Sequence, residues 1–218
     1  MTTVSEKIGA GLVKELREKS GAPMGDCLKA LQESKGDIEA AFVVLRKRGV
    51  ASAAKKASRS TNEGAVGTYI HAGGKIGVLI EVNCESDFVA RTEDFQTLLK
   101  DIAMHIAASD PRYVKPEDVT EEDLAREREI YKAQAAATGK PAQVVEKIAE
   151  GKMAKFYEEV CLLEQPFIKD QSISIKELIA QKVGKLGENL TVRRFARFKV
   201  GDPNWTVATT KLVEPAAE

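Results

Sequence analysis

Asp87 and Phe88 set a carboxylate beside a large aromatic ring in the stretch Asn83-Cys84-Glu85-Ser86-Asp87-Phe88-Val89-Ala90-Arg91. The chemistry open to such a pair is recognition. The ring can fill a pocket on a partner, and the carboxylate can accept hydrogen bonds from partner donors. Spacing alone leaves a second reading open, in which Phe88 folds back onto the core and Asp87 caps the following turn.

Covalent and metal chemistry have few candidates elsewhere. Cys27, Cys84 and Cys161 are far apart and form no C-x-x-C pair, which argues against a disulfide framework or a zinc site. His71 and His105 are the only histidines, and neither has a Ser or Cys at a recognisable catalytic spacing. Gly73-Gly74-Lys75-Ile76 lacks the glycine spacing and the following Ser or Thr of a phosphate-binding loop. No nucleotide hydrolysis by the chain itself, no cofactor and no metal are expected.

Composition narrows the partners. Lys plus Arg and Asp plus Glu are both 33 in 218 residues, so no global charge favours nucleic acid or a membrane surface. Met1-Thr2-Thr3-Val4-Ser5-Glu6 has neither an apolar run nor a basic cluster, and no stretch approaches the roughly 20 apolar residues of a membrane span. A cytoplasmic location is expected.

The Asp-Phe stretch lies between two regular elements. Ile76, Val78, Ile80 and Val82 alternate as in a strand, and Thr92-Glu93-Asp94 opens a helix whose buried face is Phe95, Leu98, Leu99, Ile102 and Ile106. The strand pairs back through Ala72-Gly73-Gly74 onto Thr68-Tyr69-Ile70-His71 as a hairpin. Upstream, three short helices are expected, punctuated by Gly21, Pro23, Gly36, an Asp37 cap and a stop at Gly49. The basic run from Arg46 to Arg59 reads as a solvated linker, or as an arm for phosphates.

Downstream, Thr120 with Asp123 starts the first of two thinly striped helices that suit an antiparallel hairpin turning at Gly139-Lys140-Pro141. Ser174 with Glu177 is a second capping box, and its helix ends around Gly187. In the last strand Leu190, Val192, Ala196, Phe198 and Val200 are expected to face the core, with Arg193, Arg197 and Lys199 outside and Phe195 among them. That outer set could also bind RNA. From Gly201-Asp202-Pro203 onward no strong period remains.

Glu81-Val82-Asn83-Cys84-Glu85-Ser86-Asp87-Phe88-Val89-Ala90 resembles the Thr-Asp-Phe-Val-Ala signature of the elongation factor Ts family, with Ser86 in place of the threonine. The resemblance extends in family order through Ser20-Gly21-Ala22, Gly36-Asp37-Ile38, Ala53-Ala54-Lys55-Lys56-Ala57, Met104-His105-Ile106, Gly139-Lys140-Pro141, Gln165-Pro166-Phe167 and Gly187-Glu188-Asn189. It implies a short-form, α+β member. Residues 1–50 would be a three-helix domain like ubiquitin-associated domains, 51–63 a basic linker, and 64–218 a core domain. That core would hold an antiparallel three-stranded sheet packed with helices and a helical hairpin at about 120–164.

The family promotes nucleotide exchange on the translational GTPase elongation factor Tu, whether GDP-bound or nucleotide-free. By the resemblance, Asp87 and Phe88 disturb that partner's magnesium and phosphate site, while Ser86 and Val89 shape the loop. His71, Met24, Leu186 and Gly187 are implied further contacts. Pro23-Met24-Gly25-Asp26 carries one methionine where the family presents two. A homodimer is also implied, noncovalent because Ala196 stands where some short members have a linking cysteine. An RNA-binding protein and a ubiquitin-associated-like adaptor are the alternatives.

Overall fold

The punctuation near the start of the chain produces α1 (Ala10–Ser20), α2 (Met24–Glu33) and α3 (Ile38–Lys56), with Gly21 at φ 66° ending the first. The Asp37 carboxylate accepts the Ala40 N–H at 3.0 Å and so caps α3. In this computed structural model residues 8–139, 141–203 and 206–210 are described. The opening residues Met1–Glu6 and Lys140 lie outside them. The chain continues through the hairpin of β1 (Glu63–Ile70) and β2 (Ile76–Cys84) to α4 (Asp87–Ala90) and α5 (Glu93–Ser109). Next come α6 (Glu121–Ala136) and α7 (Ala142–Val160), then β3 (Pro166–Phe167), β4 (Asp170–Ser174), α8 (Ile175–Leu186), β5 (Leu190–Lys199) and β6 (Thr206–Thr209). Among the described residues the class is α+β, as expected, and no helix is long and apolar enough to cross a membrane.

The expected helix stop at Gly49 is not there. α3 runs through it to Lys56, so the first part of the expected linker is helical. Gly49 serves a close approach instead. A Cβ built on it would lie 3.5 Å from the Ala180 carbonyl oxygen of α8, and one on Gly184 would lie 3.6 Å from Gly49 Cα. With no side chain on either glycine, the two helices meet backbone to backbone. α3 therefore spans two hydrophobic clusters. Ala41 is buried with Val13, Leu16, Cys27, Ala30 and Leu31, whereas Ala53 packs against the main core. The basic run has internal partners: Arg46 pairs with Glu177 at 3.2 Å, Arg48 with Glu33 at 2.5 Å and Arg59 with Glu85 at 3.3 Å.

The main sheet has four strands in the order β1-β2-β5-β6, not three. β6 pairs with β5 beyond the Gly201 turn, and its four residues are too few to give a period in the sequence. One face of the sheet is buried under α5, whose Phe95, Leu98, Leu99, Ile102 and Ile106 all point inward as expected.

The last strand corrects another expectation. Pairing of β2 with β5 shifts register between Glu81 and Val82, which face Arg194 and Val192. Arg193 is thus the extra residue of a β-bulge, and beyond it the alternation resumes on the opposite face. Leu190 and Val192 point inward before the bulge, and Phe195 and Arg197 after it. Ala196, Phe198 and Val200 consequently leave the core, and Phe195 is a core residue rather than a ring among surface charges. Buried Arg197 is matched by Asp110 at 3.0 Å and the Ala107 carbonyl at 3.2 Å.

Candidate partner-binding site

β2 ends at Cys84, and within two residues the chain enters the single helical turn of α4. Ser86 is extended at φ −132° and its hydroxyl accepts the Val89 N–H at 3.4 Å, so the cap is Ser86 and not Asp87. The helical turn spreads its four side chains around the axis. Val89 and Ala90 go into the core, while Phe88 points out at 76% exposure. The reading in which Phe88 folds back is excluded. Asp87 forms an exposed ion pair with Arg91 at 2.6 Å. Thr92 then accepts the Phe95 N–H at 3.3 Å and starts α5.

A second loop holds the first. α8 ends in Gly187 at φ 79°, and the next residue, Glu188, directs its carboxylate at the Asp-Phe turn. One Glu188 oxygen accepts the Glu85 and Ser86 N–H groups at 3.1 and 3.0 Å, and the other accepts the Ser86 hydroxyl at 2.6 Å. Glu85 answers by accepting the Asn189 N–H at 2.6 Å. The Asn189 side chain donates to the Arg59 carbonyl at 2.9 Å, which draws in the segment after α3. The Cys84 thiol donates to the Ser86 carbonyl at 3.0 Å, and burial, with Glu188 nearby, pushes its pKa up.

The adjoining helix ends are tied by charge. Lys185 and Lys182 of α8 reach Asp94 at the start of α5 at 2.7 and 3.0 Å. Burial would raise the Asp94 pKa, but these lysine contacts outweigh it and hold the carboxyl below its ordinary value. Lys185 also packs at the α1–α2 turn, where a Cβ on Gly21 would lie 3.5 Å from its Cδ. Met24, 53% exposed in the first turn of α2, follows that turn, and a Cβ on neighbouring Gly25 would meet nothing within 4 Å.

A chain of contacts therefore joins the surroundings of Met24, Leu186–Gly187 and Asp87–Phe88. His71 is elsewhere. It lies in the β1–β2 turn, its Nδ1 3.2 Å from the Tyr69 hydroxyl. Ile70 pairs with Gly77 while Glu63 pairs with Cys84, so the turn and the Asp-Phe loop occupy opposite ends of one hairpin. At about 3.3 Å per residue the separation is roughly 23 Å. Glu188, Glu85 and Asn189 are the residues sequence reasoning left without a role. The signal for Glu188 and Asn189 was an acid and an amide directly after the glycine that ends a helix.

The family model described as Elongation factor TS matches residues 52–202. A protein of Koribacter versatilis named Elongation factor Ts is 71% identical over 204 residues, covering 94% of this chain and 93% of its own length. Relatives with the same name from Solibacter usitatus and Carboxydothermus hydrogenoformans are 58% and 56% identical. They cover 97% and 89% of this chain and 99% and 90% of their own lengths.

Proposed function

The chain belongs to the elongation factor Ts family, and from that membership we propose that it is a guanine nucleotide exchange factor for elongation factor Tu in translation. It acts by binding, with no covalent step, in the cytoplasm where translation runs. The GTPase holds its nucleotide through phosphate-cradling amides and a magnesium ion that bridges phosphate oxygens. Phe88 enters the partner's nucleotide domain as a wedge near that metal, and Asp87 accepts hydrogen bonds from displaced donors. Ser86 and Val89 hold the turn from behind. Leu186, Gly187 and Met24 extend the contact, and His71 makes a separate contact across the hairpin.

The observation that carries this reading is the Phe88 ring, 76% exposed on a turn whose neighbours Val89 and Ala90 are buried. A rigid aromatic of that kind loses little entropy on binding and buries a large area. Linkage fixes the consequence: a tenfold weakening of nucleotide by the factor is a tenfold weakening of the factor by nucleotide, about 1.4 kcal/mol either way. Phe88→Ala is expected to remove on the order of 2 kcal/mol of partner interaction while the fold survives. Release of labelled GDP from elongation factor Tu measures it, and full stimulation by the folded variant would sink the reading.

A second copy of the chain is the other proposed partner. On the outer face of the sheet, Thr68, Leu79, Ala196 and Val207 stand directly opposite one another across all four strands. Exposed Val66 and Ile70 enlarge this apolar surface. This apolar patch suits a noncovalent homodimer, and Ala196 in its middle offers no thiol for a covalent link.

A further inference from the structure

The geometry points to Glu188 as a positioning residue that presets the Asp87–Phe88 turn, an inference that rests on the exchange reading above. Its carboxylate satisfies three donors of the loop at 2.6 to 3.1 Å: the N–H groups of Glu85 and Ser86, and the Ser86 hydroxyl. Hydrogen bonds to an ionised acceptor are stronger than neutral ones. The Ser86 hydroxyl is also the α4 cap, so Glu188 orients the group that starts the turn bearing Phe88.

The two loops exchange acceptors. Glu188 takes N–H groups from residues 85 and 86, and Glu85 takes the N–H of Asn189 at 2.6 Å. These partners are about a hundred positions apart in the chain, with a separation of 102 for Ser86 and Glu188. The anchor itself is rigid: Glu188 follows the left-handed Gly187 at the end of α8, whose last turns are held to α5 by Lys182 and Lys185 on Asp94.

The device has a physical purpose. An exposed ring on a free loop would fold onto the nearest apolar surface in water. A turn fixed from behind keeps Phe88 in the solvent and removes the ordering cost from the step in which the ring enters the already docked partner, so the gain is read in the saturating rate. Glu188 never needs to touch the partner. Its side chain is consumed by the loop, and its effect travels through Ser86.

The test uses the full-length chain with elongation factor Tu loaded with labelled GDP. Glu188→Ala is expected to lower the release rate at saturating factor about tenfold, the active fraction found by titration remaining at the wild-type level. Glu188→Gln should recover most of that rate, because its amide oxygen still accepts both backbone donors. In the free protein, hydrogen exchange at the Glu85 and Ser86 amides should quicken in Glu188→Ala while the Ile80 amide is unchanged.

A wild-type saturating rate in Glu188→Ala overturns the positioning role and leaves the exchange reading standing. So does a loss confined to active fraction, which is the signature of a merely structural residue. Wild-type chain that fails to accelerate release overturns the exchange reading and the positioning role together.

Discussion

Phe88 and Val89 are adjacent apolar residues with opposite fates, one bare and one at 6% exposure. Four residues of helix decide it, and four residues carry no period, so the types were readable in the sequence and the direction of the ring was not. The clamp on the turn was hidden for another reason: Glu188 is distant in the chain, and a single acid after a glycine has many possible uses. Asp87 shows the same division of labour. Its exposed pair with Arg91 at 2.6 Å is worth a few tenths of a kcal/mol at most, in line with surface pairs of this spacing. Asp87→Asn should therefore leave the thermal midpoint unchanged and slow GDP release, a contrast that calorimetry and the release assay check together.

His105 has a purely internal role. It is fully buried, with Nε2 2.9 Å from Gln165 Oε1 and Nδ1 accepting the Ile168 N–H at 3.4 Å, which requires the neutral ring. Burial pushes its pKa below the ordinary 6.5, against the hydrogen bond that its Nε2–H donates to Gln165. Below about pH 6.5 the unfolded chain binds a proton there and the folded chain does not. The stability from this site is thus complete above that pH and falls as the pH drops towards the folded value. Urea midpoints between pH 7.5 and 5 should decline for the wild-type chain and flatten in His105→Gln.

At the scale of elements, sequence punctuation was most reliable where a side chain itself makes the cap. Asp37, Thr92, Thr120 and Ser174 all accept the expected backbone donors. For Ser174 the box closes in both directions, with the Glu177 carboxylate accepting the Ser174 N–H at 3.0 Å. For Thr120 only half closes, because the Asp123 carboxylate takes the Tyr113 hydroxyl. Glycine was less readable, since the same residue serves a helix end or a close approach. Gly49 distinguishes the two: Gly49→Ala places its methyl in ordinary contact and should raise stability by up to about 1 kcal/mol through helix propensity. Gly49→Leu cannot fit against Ala180 and should lower the melting temperature by several degrees; a drop for both variants would refute close approach without clash. The bulge at Arg193 has no signature in the sequence, because one extra residue leaves composition unchanged while reversing every later side chain.

At the scale of the molecule, that reversal assembles the outer apolar face, which is why the surface proposed for a second copy could not be drawn from the strand pattern. Leu79→Asp puts a charge in the middle row and should yield a monomer by sedimentation, with circular dichroism like the wild type; a dimer of unaltered affinity would remove the sheet face from consideration. The order of the longer elements was legible from the sequence alone, whereas the short α4, β3, β4 and β6 were not. The joint between the front three helices and the sheet was not, because it depends on contacts between α3 and α8.

That joint makes α3 a gauge. Its 19 residues, about 28 Å at 1.5 Å each, are rooted at one end among Leu16 and Leu31 and at the other against Ala180. The distance and bearing from Met24 to Phe88 are set like the jaws of a calliper rather than by a tether. One residue inserted into α3 would swing the front jaw by about 100°, whereas a tether would absorb it unnoticed.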